Sequence, residues 1–207
     1  ELQQAFRSTL KRFYGVMKTM DGCIKFALLT GVTKFGKVSV FSDLNNLDDI
    51  SMQEMFIDIC GVTGQEIHDN LEEELHELAS ANGMTYDEVV AELKACYDGY
   101  HFTENSIGIY NPFSLLCTFK YNKFGSYWFE TGTPTYLVEL LKRYHYDLEH
   151  MAHAETYADV LNSIYGDEEP LPVIFQSGYL TIKDYDKEFG LYRLGFPNRE
   201  VEEGFVK

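Results

Sequence analysis

No two of the four cysteines stand close together. Cys23, Cys60, Cys96 and Cys117 form no C-x-x-C pair, so the spacing of a structural zinc site is missing. The expectation is buried, reduced thiols in a cytoplasmic protein. The sequence reads without a signal peptide and without an apolar run long enough to span a bilayer. Basic residues are scarce: 17 Lys and Arg stand against 33 Asp and Glu, for a net charge of −16. The imbalance is local, with residues 1–47 at +4, residues 48–98 at −13 and residues 110–207 at −6. Phosphate contacts need clustered Lys and Arg, so nucleic-acid binding by the middle or the end is disfavoured. The acidic block reads as a solvated helical face. There is no internal repeat and no low-complexity segment. The chain opens at Glu1 and stops after Gly204-Phe205-Val206-Lys207, which reads as a piece of something longer.

What is present is ample packing material. A chain of 207 residues, 45% of them apolar and with 15 Tyr and 15 Phe, buries roughly 70% of its unfolded surface and needs no staples. Leu2, Phe6, Leu10, Phe13 and Met17 recur at helical spacing, predicting an amphipathic helix over 1–19. Cys23 to Leu29 is nearly continuous in apolar residues, the pattern of a strand buried on both faces of a parallel sheet. Residues 51–99 form a helical block. Ser51…Glu54, Thr63…Glu66 and Thr85…Glu88 each fit the capping box. Ile67, Leu71, Leu75 and Leu78 stripe one helix, which Asn82-Gly83 stops; Val89, Val90, Leu93 and Tyr97 stripe the next, which Gly99 ends. Asn111-Pro112 and Thr133-Pro134 read as helix starts. Tyr179–Tyr185 and Phe189–Leu194 read as a β-hairpin around Asp186-Lys187-Glu188, and Pro197-Asn198 opens a last helix. Short helices followed by a hairpin is the order of a winged helix.

One stretch nearly spells a phosphate-binding loop. An apolar run leads into Gly31, four residues, then Gly36-Lys37, but Val38 stands where that motif needs Ser or Thr. The motif also needs a helix directly after the loop, whose free N–H groups hold the phosphates. Lys37 to Ser42 instead alternates polar and apolar and reads as a strand, followed by a loop over 43–49. The match is therefore read as false.

Several longer phrases, in order, carry a family resemblance: Leu29–Phe35, Ser42–Leu47, Tyr97-Asp98-Gly99-Tyr100-His101-Phe102, Tyr110-Asn111-Pro112-Phe113-Ser114, Trp128–Pro134, Gln176–Leu180 and Gly195–Val201. Together they resemble the AAA-ATPase-like domain proteins abundant in gut Bacteroidetes and related anaerobes, over essentially the whole chain. The resemblance implies a RecA-like core related to STAND-type and archaeal ATPases, with a helical lid and a winged helix. In that family a P-loop and Walker B strand come before this region, and a PD-(D/E)xK nuclease-like domain often follows. The implied fold is helix-rich, α/β to α+β. Residues 1–50 would be the end of the RecA-like core, 51–109 the lid and 110–207 the winged-helix-like part.

By the same resemblance Cys23–Leu29 is the core strand beside Walker B. Thr30 then takes the sensor position at its C-terminal edge, where ligands of parallel sheets bind; the plainer reading is a capped strand end. Lys34 would neutralise phosphate charge, or is a surface lysine. Arg199 would face nucleotide or a neighbouring domain, or pairs with Glu202 or Glu203 within its helix. ATP and magnesium are implied for the longer protein, while this chain, without P-loop or Walker B carboxylates, is not itself expected to be catalytic. The partners expected are its own neighbouring domains or an unknown protein, with no membrane contact. Independent binding to a protein, or DNA binding that positions a downstream nuclease, are the alternatives. His145, His150 and His153 lie among Asp147, Glu149 and Glu155, but their spacing is loose and no metal is expected. Trp128 and its neighbours read as core, Ser114 and Ser177 lack nucleophile-elbow context, and Asp98 reads as a cap or turn residue.

Overall fold

The computed structural model describes residues 2–32, 47–132, 141–142, 151–163 and 170–206. The expected strand and loop over 37–46, Lys34, the helix start at Thr133-Pro134, and His145 and His150 lie outside them. The described part is mixed helix and antiparallel sheet.

Helix α1 (Leu2–Thr19) forms where its apolar spacing predicts. Its stripe is uncovered among the described residues: Phe13 is 69% exposed, and Leu2, Phe6 and Leu10 are exposed too. A 3₁₀ turn at Asp21–Cys23 leads into residues 24–32, which are irregular. Here the expected buried parallel strand over Cys23–Leu29 is not formed. Ile24, Phe26, Leu28 and Leu29 are exposed, Phe26 by 81%. Apolar composition alone does not make a strand; a ladder neighbour must satisfy its backbone. All strand pairing among the described residues is antiparallel and lies elsewhere.

The helical block holds α2 (Gly64–Asn70), α3 (Glu72–Asn82) and α4 (Tyr86–Tyr97). Two capping boxes form, at Thr63–Glu66 and Thr85–Glu88. The third does not: Ser51 N–H bonds Asp49 Oδ1, Glu54 accepts from Asn105 Nδ2, and only a 3₁₀ turn, Glu54–Phe56, results. The expected single helix through Leu71 is broken there, at φ −128° and ψ 29°. Gly83 closes α3 in the left-handed conformation (φ 65°), where an L-residue pays for its Cβ. The acidic side chains Asp69, Glu72, Glu73, Glu77, Asp87 and Glu88 point to solvent. Helix α5 (Pro112–Tyr121) starts as predicted, with Asn111 Oδ1 accepting from Phe113 and Ser114 N–H. It packs with the helices before it. Ile67, Leu75, Leu78, Val89, Leu93, Tyr97, Leu115 and Phe119 form one core; Val90, expected in the stripe, is exposed. Strands β1 (Val62–Thr63) and β2 (Ile109–Tyr110) pair beside it.

A second core lies under a three-stranded sheet. Helix α6 (Tyr127–Gly132) is followed, beyond residues outside the description, by β3 (Glu155–Tyr157), α7 (Ala158–Leu161), α8 (Leu171–Gln176), β4 (Thr181–Asp186), β5 (Leu191–Gly195) and α9 (Arg199–Val206). The hairpin is the predicted one, and β3 adds to it in the order β3-β5-β4. A bulge at Lys183, where Ile182 pairs Leu194 and Asp184 pairs Arg193, bends β4. Met151, Leu161, Ile174, Tyr179, Leu180, Leu194 and Val201 fill this core. Trp128 packs against it, tilted on Tyr179 with ring centroids 5.1 Å apart.

Candidate functional site

Four sequence phrases converge where the two cores meet: Tyr97–Tyr100, Tyr110–Ser114, Trp128-Phe129 and Pro197–Glu200. The site is built from helix ends. Helix α4 stops at Tyr97, and Gly99 follows with φ 95°. A Cβ there would lie 2.2 Å from the Pro197 carbonyl oxygen, so the backbone of the α9 start sits directly on it. Asn198 then serves two helices. Its Oδ1 accepts from Val201 N–H at 3.2 Å and caps α9, while its Nδ2 donates to the Asp98 carbonyl at 3.0 Å.

In the first turn of α9, Glu200 reaches the start of α6. It is only 4% exposed. Its Oε1 accepts from Trp128 N–H at 2.8 Å, Phe129 N–H at 3.2 Å and Ser114 Oγ at 2.9 Å, while Oε2 has no hydrogen-bond partner. A carboxylate on the free N–H groups of a helix start is a favourable placement supplied here from another helix. Burial nevertheless dominates and pushes the Glu200 carboxyl above its ordinary range, against the lowering effect of those three donors. Nearby, the buried Tyr97 hydroxyl accepts from Thr118 Oγ1 (2.8 Å) and Gly125 N–H (3.0 Å) and donates to the Gly125 carbonyl; burial pushes it up to about 12. Asp98 is buried with Oδ1 unpartnered, against Gly108, where a Cβ would approach it to 2.5 Å.

This cluster is a junction at which side chains from one helix satisfy the ends of others. Ser114 donates to a carboxylate, and no His stands behind it among its described bonds. Among the described residues no group of three His, Cys, Asp or Glu side chains converges as a metal site, and His153 is exposed. Asp98 ends α4, as expected of a cap or turn residue.

The named nucleotide candidates do not meet here. Thr30 is exposed on the irregular run. Arg199 is on the junction's outer rim, its Nη1 paired with Glu92 Oε1 of α4, and Glu203 of its own helix adds to the negative field around it. Lys34 lies outside the described residues, and Arg199 is already paired with Glu92. Two cysteines depart from expectation, since Cys23 and Cys60 are exposed; all four are free, and burial with Glu92 beside it pushes the Cys96 thiol up to about 12. Glu200 itself went unmarked in the sequence. The signal that points to it is the set of separate phrases that meet around it.

Residues 1–41 match the sequence model of a family described as "Predicted AAA-ATPase". The match takes in α1 and the exposed run after it, and supports an AAA-ATPase-like relationship for that part. Over 207 residues, 98% of the chain, the sequence is 38% identical to the "Uncharacterized protein in vnfD 5'region" of Azotobacter chroococcum mcd 1. The chain spans 37% of that relative's length. No solved structure matches. No described helix is long and apolar enough to cross a membrane.

Proposed function

We propose that this chain is the C-terminal portion of an AAA/STAND-like ATPase domain and serves a nucleotide-dependent switch. Residues 1–50 are the end of a RecA-like core, 51–109 a helical lid and 110–207 a winged-helix-like part. The observation that carries the reading is the uncovered apolar surface of residues 2–32. Phe6, Phe13, Phe26 and Leu28 stand exposed together in the segment that matches the ATPase family. Such a surface is costly in water, and a parallel sheet supplied by the longer protein is what would bury it. Residues 23–29 then become its strand, with Thr30 as sensor and Lys34 beside the phosphates of ATP, whose magnesium the longer protein's own carboxylates hold. The two helices described between β3 and β4, and the strand order β3-β5-β4, support the winged-helix part.

Hydrogen exchange tests this. In a longer protein with its upstream region, amides of residues 2–29 are protected relative to the same amides in this chain. Equal, rapid exchange in both removes the basis of the reading.

A nucleotide-independent interaction module is the second reading, favoured by a separate exposed face on α5 made by Phe113, Leu116 and Tyr121. A pull-down whose partners ignore both ATP and the upstream region selects it. DNA binding by the hairpin is disfavoured, because Arg193 is already held by Glu155 (3.0 Å) and Asp184 (2.8 Å); salt-sensitive filter binding would revive it.

A further inference from the structure

We infer that α9 is a clamp that locks the helical core (51–124) and the sheet core (127–132 with 151–163 and 170–205) into one mechanical unit, so that the lid with α5 and the sheet-bearing part move together rather than against each other. The clamp stands on the geometry; only its consequence for a switch rests on the ATPase reading.

Several independent contacts cross between the two cores, and their buried members belong to groups that are costly to orphan. Asn198 holds the end of α4 and the start of α9 with one side chain. Gly99 admits the Pro197 carbonyl at a distance that no side chain tolerates. Glu200 reaches across to the Ser114 hydroxyl of α5 with the same oxygen that takes two N–H groups of α6 on its own side of the seam. Away from α9, the His101 backbone is bound to the sheet in both senses: its N–H donates to Thr181 Oγ1 (2.6 Å), and its carbonyl accepts from Thr181 Oγ1 (3.0 Å) and Ile182 N–H (3.4 Å). Tyr192 OH donates to Glu104 Oε2 at 3.2 Å. On the far side, Met52 packs into the sheet core and its sulfur accepts from Asn162 Nδ2.

Sliding one half over the other would strip partners from Ser114 Oγ, the Asp98 carbonyl and the His101 N–H and carbonyl at once. Each loss of a buried partner is penalised separately. Hinges, by contrast, are a few element-terminal residues that absorb backbone change without breaking buried pairs. The seam between the cores has the opposite character. Movement driven by nucleotide therefore falls between the region before Ile50 and this whole unit.

Hydrogen exchange against denaturant decides the matter on the wild-type chain. Amides of Leu93–Tyr97 in α4 and of Ile182 and Leu194 in the sheet are expected to open with the same denaturant dependence, as one cooperative unit. Separate openings of the two sets in the wild type overturn the inference. In Asn198→Ala/Glu200→Ala, sheet amides are expected to exchange roughly tenfold or more faster than α4 amides, the equivalent of one or more orphaned buried groups. Glu200→Gln, which keeps the Oε1 acceptor, retains the joint opening. Sets that stay locked in the double variant assign the coupling elsewhere and overturn the role of α9.

Discussion

Ser114 and Glu200, 86 positions apart, share a buried hydrogen bond of 2.9 Å, and the oxygen that accepts it also accepts the first amides of α6. Removing the carboxyl takes that acceptor from Ser114 Oγ and Phe129 N–H, while Trp128 N–H keeps its second acceptor, Ser114 Oγ at 3.0 Å. Glu200→Ala is expected to lower stability by about 2–3 kcal/mol, whereas Glu200→Gln stays within about 1 kcal/mol of the parent, since it keeps the acceptor and removes a buried charge. Urea unfolding followed by the fluorescence of Trp128 measures both. Equal losses in the two variants contradict the trans-cap account.

The same pair fixes a pH dependence. The folded chain holds the Glu200 proton more tightly than the unfolded chain, because its folded pKa is raised by burial. Wild type is therefore expected to gain stability relative to Glu200→Gln as pH falls from above the raised folded pKa to the ordinary carboxylate value, then level off. A difference that grows in the opposite direction, or stays flat across the acidic range, argues that Glu200 is ionised without penalty.

Glu66 and Glu88 titrate with the opposite sign. Each carboxyl is held below its usual value first by the backbone N–H and then by the hydroxyl of its capping threonine, Thr63 or Thr85. Their contribution is present above the ordinary carboxylate value and is lost as pH falls through the lowered one. In Thr85→Ala the Glu88 carboxyl is expected to titrate closer to the ordinary range, with Glu66 unmoved. Side-chain carboxyl chemical shifts followed against pH report both residues in one experiment.

Gly99 is the least replaceable position of the junction. It combines φ 95° with a Cβ path blocked by the Pro197 backbone. Gly99→Ala is expected to cost about 3 kcal/mol or more, from left-handed strain and the backbone shift together. Gly22→Ala, at a site with open space around it, is the matched control and is expected to be nearly silent. Thermal unfolding separates the two.

Local signals were legible in the sequence and long-range ones were not. Helices α2 to α5 follow from caps and apolar spacing that lie within a few residues of each other. The hairpin follows from its alternation and its polar turn. Strand β3 was missed because Glu155-Thr156-Tyr157 is too short to show a period, and it forms only because β5 offers an edge. The break at Leu71 was missed because its apolar side chain keeps the stripe continuous while its backbone leaves it. The run Cys23–Leu29 reads as a buried strand because composition records what a segment wants to bury, not whether a partner is there to bury it. The Glu200 junction joins residues from four separate phrases, and spacing within any one of them carries no trace of the others.

The central claim is that this chain completes an ATPase domain whose phosphate-binding half lies in a longer protein. Calorimetric titration of magnesium-ATP into this chain, and into a protein with its upstream region restored, tests it most directly. The account predicts binding by the longer protein, altered by Thr30→Ala, and none of comparable strength by residues 1–207. Tight binding by residues 1–207 alone, or no binding by the longer protein, would contradict it.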